Sequence, residues 1–321
     1  MKYMDMIAYA TQGAKDIRIT VGMIRDGEKS ITCYGPNGKI INKNDYLYEI
    51  GSLTKVFTVA LLCKALSEGR IELSAPISEY MSLPKGKEYP TVFQLATHTS
   101  GCGMVYHKTV VLNTVLRKNP YTDYSKEDIT NTLQKMHFHG RIKWDYSNFG
   151  MALLGTVLGN VYDNTYADCM EAFIREDLGL KNTRFGDGNG DLKPYWSWKR
   201  DDVYLAAGGL VSTMDDMLSF TELHMDQKLD YISQAIKPYV PINRRAKMGL
   251  RFDASGLGWI LDRKNGIVWH NGGTDHFNSY MGYDRKNKLG VIILANCKPG
   301  YKIPMTIIGP NIILENRKQK K

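Results

Sequence analysis

Residues 52–69 read SLTKVFTVALLCKALSEG. Apolar side chains fall at Leu53, Val56, Phe57, Ala60, Leu61 and Ala65, a helical spacing, and Gly69 stands where such a helix would end. The helix is expected to be largely buried. Ser52 lies on its opening turn and Lys55 one turn along on the same face. Two readings of Ser52 compete. A serine before an apolar helix is most often an N-cap. A serine beside a lysine is also the start of a nucleophile: its hydroxyl needs a base to take its proton, and a helix N-terminus with a close cation favours the alkoxide. Lys55 on an apolar face is either desolvated, which lowers its pKa unless it is paired, or snorkels to solvent. Another Ser-x-x-Lys, Ser82 to Lys85, falls in a Pro/Gly/Lys-rich loop and lacks the helix.

Outward from this helix, Asp16 to Tyr34 alternates apolar and polar residues around Asp26-Gly27, the pattern of an antiparallel hairpin. From about residue 75 to about residue 190 the periodicity is helical or irregular, with helices predicted after Thr91, after Ser125, from Asn148 and from Thr165. A further helix is predicted over Ser212 to His224, and strands over Gly256 to Asp262, Gly266 to His270, Ser279 to Asp284 and Val291 to Asn296. The expected fold is α/β of the α+β kind: an antiparallel sheet built from both chain ends and flanked by helices, with a mostly helical region inserted. The corresponding division is a discontinuous sheet domain, 1–75 and 191–321, and a helical domain, 76–190, with the active site between them.

A chain of 321 residues is long enough for one large or two modest domains, at roughly 100 to 200 residues each. Hydrophobic residues are 43% and charged residues 23%, which fits a folded globular protein. The net charge of +9 is unfocused; Arg317, Lys318, Lys320 and Lys321 are read as a frayed tail, and no basic helix interleaved with aromatics argues for nucleic acid. The five cysteines, Cys33, Cys63, Cys102, Cys169 and Cys297, show no C-x-x-C and no Cys/His ligand pair, so they read as reduced structural thiols with no metal site. No signal-like apolar stretch opens the chain and no run of about 18 apolar residues occurs, so a cytoplasmic setting is expected unless a leader has been removed.

Two other stretches carry chemistry. Tyr146-Ser147-Asn148 enters an apolar helix, so Asn148 either caps it or presents an amide to a substrate carbonyl. Tyr146 either packs as an interface aromatic or, near cations, loses its proton and acts as a base. Tyr162 to Asn164 repeats the Tyr-x-Asn pattern, but at a helix end. His270-Asn271-Gly272-Gly273-Thr274 ends a strand-like run; its glycines either let a ligand approach the strand edge, with a free N–H for an oxyanion, or mark a bulge.

Ser-x-x-Lys, Tyr-x-Asn and His-x-Gly in this order resemble the serine β-lactamase and penicillin-binding-protein superfamily, and within it the class C β-lactamase, DD-peptidase and family VIII esterase branch. Tyr48-Glu49-Ile50-Gly51, Gln94 to Gly101, Leu178 to Phe185 and Ala207 to Thr213 extend the resemblance from about residue 16 to about residue 315. It implies Ser52 as the acylated nucleophile, Lys55 as the partner that sets its protonation, and Tyr146 as general base. It further implies an oxyanion hole from the N–H groups of Ser52 and Gly273, substrate contacts from Asn148, Asn271, Gly272 and Thr274, and no cofactor. His270 stands where class C enzymes resemble one another in having lysine, so a group expected to titrate near neutrality replaces a permanent cation. Tyr106 or His107 stands where a glutamine usually follows Thr-Ser-Gly. The implied activity is a serine hydrolase cleaving a small amide or ester of DD-peptidase, D-aminopeptidase or esterase type. Alternatives are a weak class C-like β-lactamase, an acyltransferase on the same scaffold and a non-catalytic binding module. The G-x-S-x-G elbow of α/β-hydrolases is absent. His98 and Thr99 read as loop-holding residues, and Trp259 and Trp269 as strand packing.

Overall fold

A computed structural model of the chain describes residues 1–42, 45–104, 119–138, 143–192, 194–245 and 250–317. The hairpin forms as expected: β1 (Ile19–Arg25) and β2 (Glu28–Tyr34) pair antiparallel with Arg25 opposite Glu28. Asp26 and Gly27 both take positive φ, 51° and 90°, as a two-residue hairpin turn requires. Next come β3 (Ile40–Ile41), β4 (Tyr48–Glu49), β5 (Arg184–Phe185) and β6 (Leu210–Ser212). The second half of the chain adds β7 (Val240–Arg245), β8 (Arg251–Ser255) and β9 (Ile260–Asp262). The last three strands are β10 (Ile267–Gly273), β11 (Asn278–Asp284) and β12 (Leu289–Ala295).

Nine strands form one antiparallel sheet in the order β3-β2-β1-β12-β11-β10-β9-β8-β7, so β1 and β12, from opposite ends of the chain, lie side by side. A small second sheet, β4-β6-β5, links the serine-bearing segment to the middle of the chain. The run expected from Gly256 becomes a strand only at Ile260, because Gly256 N–H bonds Trp259 O across a tight turn with Gly258 at φ +66°. β7 and β8 are a hairpin that the sequence reading did not anticipate.

The sheet is covered on both faces, which is why β12 reads LGVIILA without polar alternation. Its Ile292 and Leu294 face the larger core, with Phe57, Phe220 and Trp259. Its Val291, Ile293 and Ala295 face a second core with Ile7, Ile308 and Ile312 from the two terminal helices, Tyr3–Thr11 and Met305–Glu315. On the larger side the helix Thr54–Ser67 packs against Met214–Met225 through stacked Phe57 and Phe220 rings, 3.7 Å between centroids.

The inserted helices begin where their caps predict: Val92–Ala96 after Thr91, Lys126–Lys135 after Ser125 and Tyr166–Ala172 after Thr165, each threonine or serine oxygen accepting a first-turn N–H. The tail expectation needs correction at Arg317, whose guanidinium pairs with the buried Asp284 carboxylate at 2.8 Å; Lys318 to Lys321 lie outside the described residues. Among the described residues no helix is long and apolar enough to cross a membrane.

The C-terminal helix meets the sheet closely at Gly309, where an added Cβ would stand 2.1 Å from the Tyr280 ring. Gly309→Ala gains about 1 kcal/mol of helix propensity but overpacks a fully buried ring, at about 1 to 3 kcal/mol. The expected outcome is a lower urea midpoint with unchanged slope; a raised midpoint would show that the helix can move away from Tyr280.

Candidate active site

Lys55 stands directly beside the serine. It is fully buried, so it does not snorkel. Its Nζ lies 3.0 Å from Ser52 Oγ, donates to Ala207 O at 2.6 Å, and sits over the Tyr146 ring at 5.0 Å from the centroid. Among the described residues no carboxylate pairs with it, and burial alone drives its pKa well below the usual lysine value. Nor does Ser52 cap the helix: it sits inside a 3-10 turn, Gly51–Leu53, and Leu53, with no side-chain cap bond, precedes the helix Thr54–Ser67. The hydroxyl is left for Lys55, whose amine also sits against the Tyr146 ring.

Backbone contact fixes this turn. Gly51 holds φ +50°, and a Cβ on it would stand 2.6 Å from Gly273 N. A Cβ on Gly272 would stand 2.0 Å from Ile50 O and 2.9 Å from Ser52 N. Ser279 Oγ donates to the same Ile50 carbonyl at 2.8 Å. The sequence reading offered the freedom of the glycine pair to a ligand. Within the chain the space beside Gly272 is taken by the serine-bearing turn, which brings Gly51 against Gly273 and the Ser52 nitrogen against Gly272.

Tyr146 is placed by His98. Ser147 N–H donates to His98 Nδ1 at 3.2 Å and Asp145 N–H to His98 O at 2.7 Å, so the histidine holds the loop both ways, itself at φ +57°. Ser147, not Asn148, caps the helix Asn148–Val161, its Oγ accepting Gly150 N–H at 2.7 Å. Asn148 is thereby free to turn its amide to the site, where Nδ2 donates to Tyr121 Oη at 3.1 Å and Oδ1 is buried without a partner. Burial raises the Tyr146 pKa above the usual phenol value, so the resting group is the neutral phenol rather than the tyrosinate the sequence reading allowed.

His270 stands 6.2 Å from Tyr146 between ring centroids, and its Nδ1–H donates to Asn271 O at 2.7 Å. The expectation that it titrates near neutrality is corrected: burial, with the Lys55 charge adding to it, pushes its pKa down to about 3. Thr274 turns inward, where its hydroxyl donates to Glu49 Oε2 at 2.5 Å and accepts Phe277 N–H at 3.2 Å. Tyr106 and His107 lie outside the described residues.

Ser52, Asn148 and Gly273 line a cavity of about 30 Å³ whose other walls include Tyr121, Trp196 and Trp198. None of these three aromatics was singled out from sequence; the advance signal for Trp196 and Trp198 was an aromatic cluster, Tyr195-Trp196-Ser197-Trp198, in an otherwise polar loop, and Tyr121 had none. Two larger cavities, of about 410 and 530 Å³, contain none of the expected site residues.

The family model described as Beta-lactamase matches residues 17–304. The chain belongs to the beta-lactamase family. Among its relatives is the D-alanyl-D-alanine-carboxypeptidase/endopeptidase AmpH of Escherichia coli K12, 25% identical over 93% of this chain and 83% of that one. The fold matches the octameric penicillin-binding protein homologue from Pyrococcus abyssi (TM-score 0.78, 20% identity, 98% of this chain and 76% of that one). It also matches the beta-lactamase/D-alanine carboxypeptidase from Yersinia pestis complexed with citrate (TM-score 0.76, 22% identity, 97% and 95%).

A histidine held neutral by the fold carries a pH signature. Its pKa is near 6.5 when unfolded and about 3 when folded, so its contribution is fully present above pH 6.5 and is lost as pH falls toward 3. The stability gap between the wild type and His270→Gln is therefore expected to narrow by about 3 kcal/mol between pH 7 and pH 4. Denaturant titrations at both pH values check this; a constant gap would mean that His270 titrates alike in both states.

Proposed function

We propose that this chain is a serine hydrolase that forms an acyl-enzyme on Ser52 and cleaves a small amide or ester. The observation that carries the reading is the buried, carboxylate-free Lys55 amine 3.0 Å from Ser52 Oγ. In this reading the neutral amine takes the hydroxyl proton as Ser52 Oγ attacks the substrate carbonyl. The developing oxyanion faces the N–H groups of Ser52 and Gly273. Tyr146, whose ring lies beneath the Lys55 amine, passes a proton to the departing amine or alcohol and draws its replacement from Lys55. Water then repeats the sequence in reverse to free the enzyme. Asn148 contacts the acyl-side carbonyl, and the site lies between a sheet domain, 1–75 and 191–321, and a helical domain, 76–190.

The names of the relatives support peptidase chemistry, and the neutral His270 argues against efficient β-lactam turnover, because no permanent cation stands at that position. Intact-protein mass after incubation with an activated acyl ester, and separately with a penicillin, tests the proposal. The wild type is expected to gain the ester's acyl mass or turn the ester over, while Ser52→Ala, with unchanged thermal unfolding, does neither. A wild type left unmodified and inactive with both reagents would sink the hydrolase reading in favour of a binding module.

A further inference from the structure

Glu49 lies three residues before Ser52, in β4, and its backbone is fixed opposite Val211 of β6. The side chain is buried, and both carboxylate oxygens are engaged by segments remote from each other in sequence. Oε2 accepts the Thr274 hydroxyl at 2.5 Å, at the end of β10, and Oε1 accepts the N–H of Trp196. A second tie joins the same two segments directly, since Trp196 Nε1–H donates to Asp275 Oδ2 at 3.3 Å. A third binds the loop to the strand before the serine, Tyr195 Oη donating to Leu47 O.

Trp196 and Gly273 both wall the cavity beside Ser52, so the carboxylate joins two of its sides. The titratable groups facing Glu49 are Asp275, on the turn after β10, and Tyr195, on the loop. Neither is a cation, and among the described residues no ion pair reaches the carboxylate. A buried acid without a counterion is a poor way to gain stability, because its desolvation is uncompensated by charge pairing. What it supplies is two directed acceptors in a fixed geometry.

We propose that Glu49 is a positioning residue for the acyl side of the site: it clamps the Trp196 loop to the end of β10, keeps the cavity beside Ser52 narrow, and so selects small acyl groups. Burial pushes its carboxyl up to about 7, so the clamp changes character across neutrality. Above that pH both bonds are charge-assisted; below it the protonated acid keeps both contacts, its O–H turned to the Thr274 hydroxyl, but as weaker neutral bonds, and the clamp loosens.

The size-selection half rests on the Ser52 hydrolase reading; the clamp itself does not. Two variants separate them. Glu49→Gln can keep both contacts, with Oε1 accepting Trp196 N–H and Nε2 donating to Thr274, but cannot titrate. Glu49→Ala loses both. Tryptophan emission of the wild type, followed from pH 5 to pH 9, is expected to show a transition with its midpoint near 7 that is absent from Glu49→Gln and from Trp196→Phe. With p-nitrophenyl esters, the wild type is expected to prefer acetate to octanoate. Glu49→Ala is expected to narrow that ratio at least tenfold, mainly through KM for the long chain, and Glu49→Gln to restore it.

An emission transition that survives in Glu49→Gln overturns the clamp, and does so even where Glu49→Ala fails to fold. An unchanged chain-length ratio in a folded Glu49→Ala overturns its role in selectivity. If the wild type hydrolyses no ester yet shows a Glu49-dependent transition, the hydrolase reading fails, the size-selection half falls with it, and the clamp stands.

Discussion

An ammonium ion without a counterion is among the most costly groups to place in a protein interior, and among the described residues the polar and aromatic partners of the fully buried Lys55 amine are a serine hydroxyl, a backbone carbonyl and an aromatic face. The fold resolves the conflict by favouring the neutral amine. That protonation state makes Lys55 useful, because an amine with a free lone pair accepts a proton where an ammonium cannot. The helix that carries Lys55 also lodges Val56, Phe57 and Val59 in the larger core, so one element builds the core and holds the amine away from water.

The geometry around that amine depends on backbones approaching more closely than side chains permit. The turn at Gly51–Leu53 rests on β10 because Gly272 has no Cβ, and Ser279 fastens it through the Ile50 carbonyl. Tyr146 is oriented from the other side by His98, which accepts an N–H through its ring and another through its carbonyl. Ser52 and Tyr146 therefore belong to separate elements, each pinned by contacts that make no use of a substrate. Such pinning is what preorganisation demands, since reacting groups on loose loops would have to be ordered at every turnover.

Much of this was legible in sequence because it is local. The Thr54–Ser67 helix announced itself through its periodicity, the β1–β2 hairpin through Asp26-Gly27, and the inserted helices through Thr91, Ser125 and Thr165. What escaped has equally physical reasons. β4 and β5 are two residues long, too short to show a period of two. β7 contains a proline and an irregular register, which hides its alternation. The C-terminal helix carries Pro310 within it, a residue that argues against helix in any local reading. His270 shows its intrinsic pKa in its residue type but not its burial, so its neutrality came only with the packing. Glu49 meets partners 147 and 225 residues away, which no window along the chain can join.

Burial acts in one direction on every ionisable group at the centre. It lowers the lysine and both histidines, His98 and His270, and raises the tyrosine, so each moves toward its uncharged form. A site built this way offers little Coulombic attraction to a substrate carboxylate from its own centre. In the proposed reading recognition comes from shape and directed hydrogen bonds, for which the narrow aromatic cavity and the Asn148 amide are the groups at hand. In the proposed hydrolase reading, its chemistry is a matter of moving one proton among Ser52, Lys55 and Tyr146 as charge develops on the substrate oxygen. That motion is easiest where no competing ion holds the proton in place.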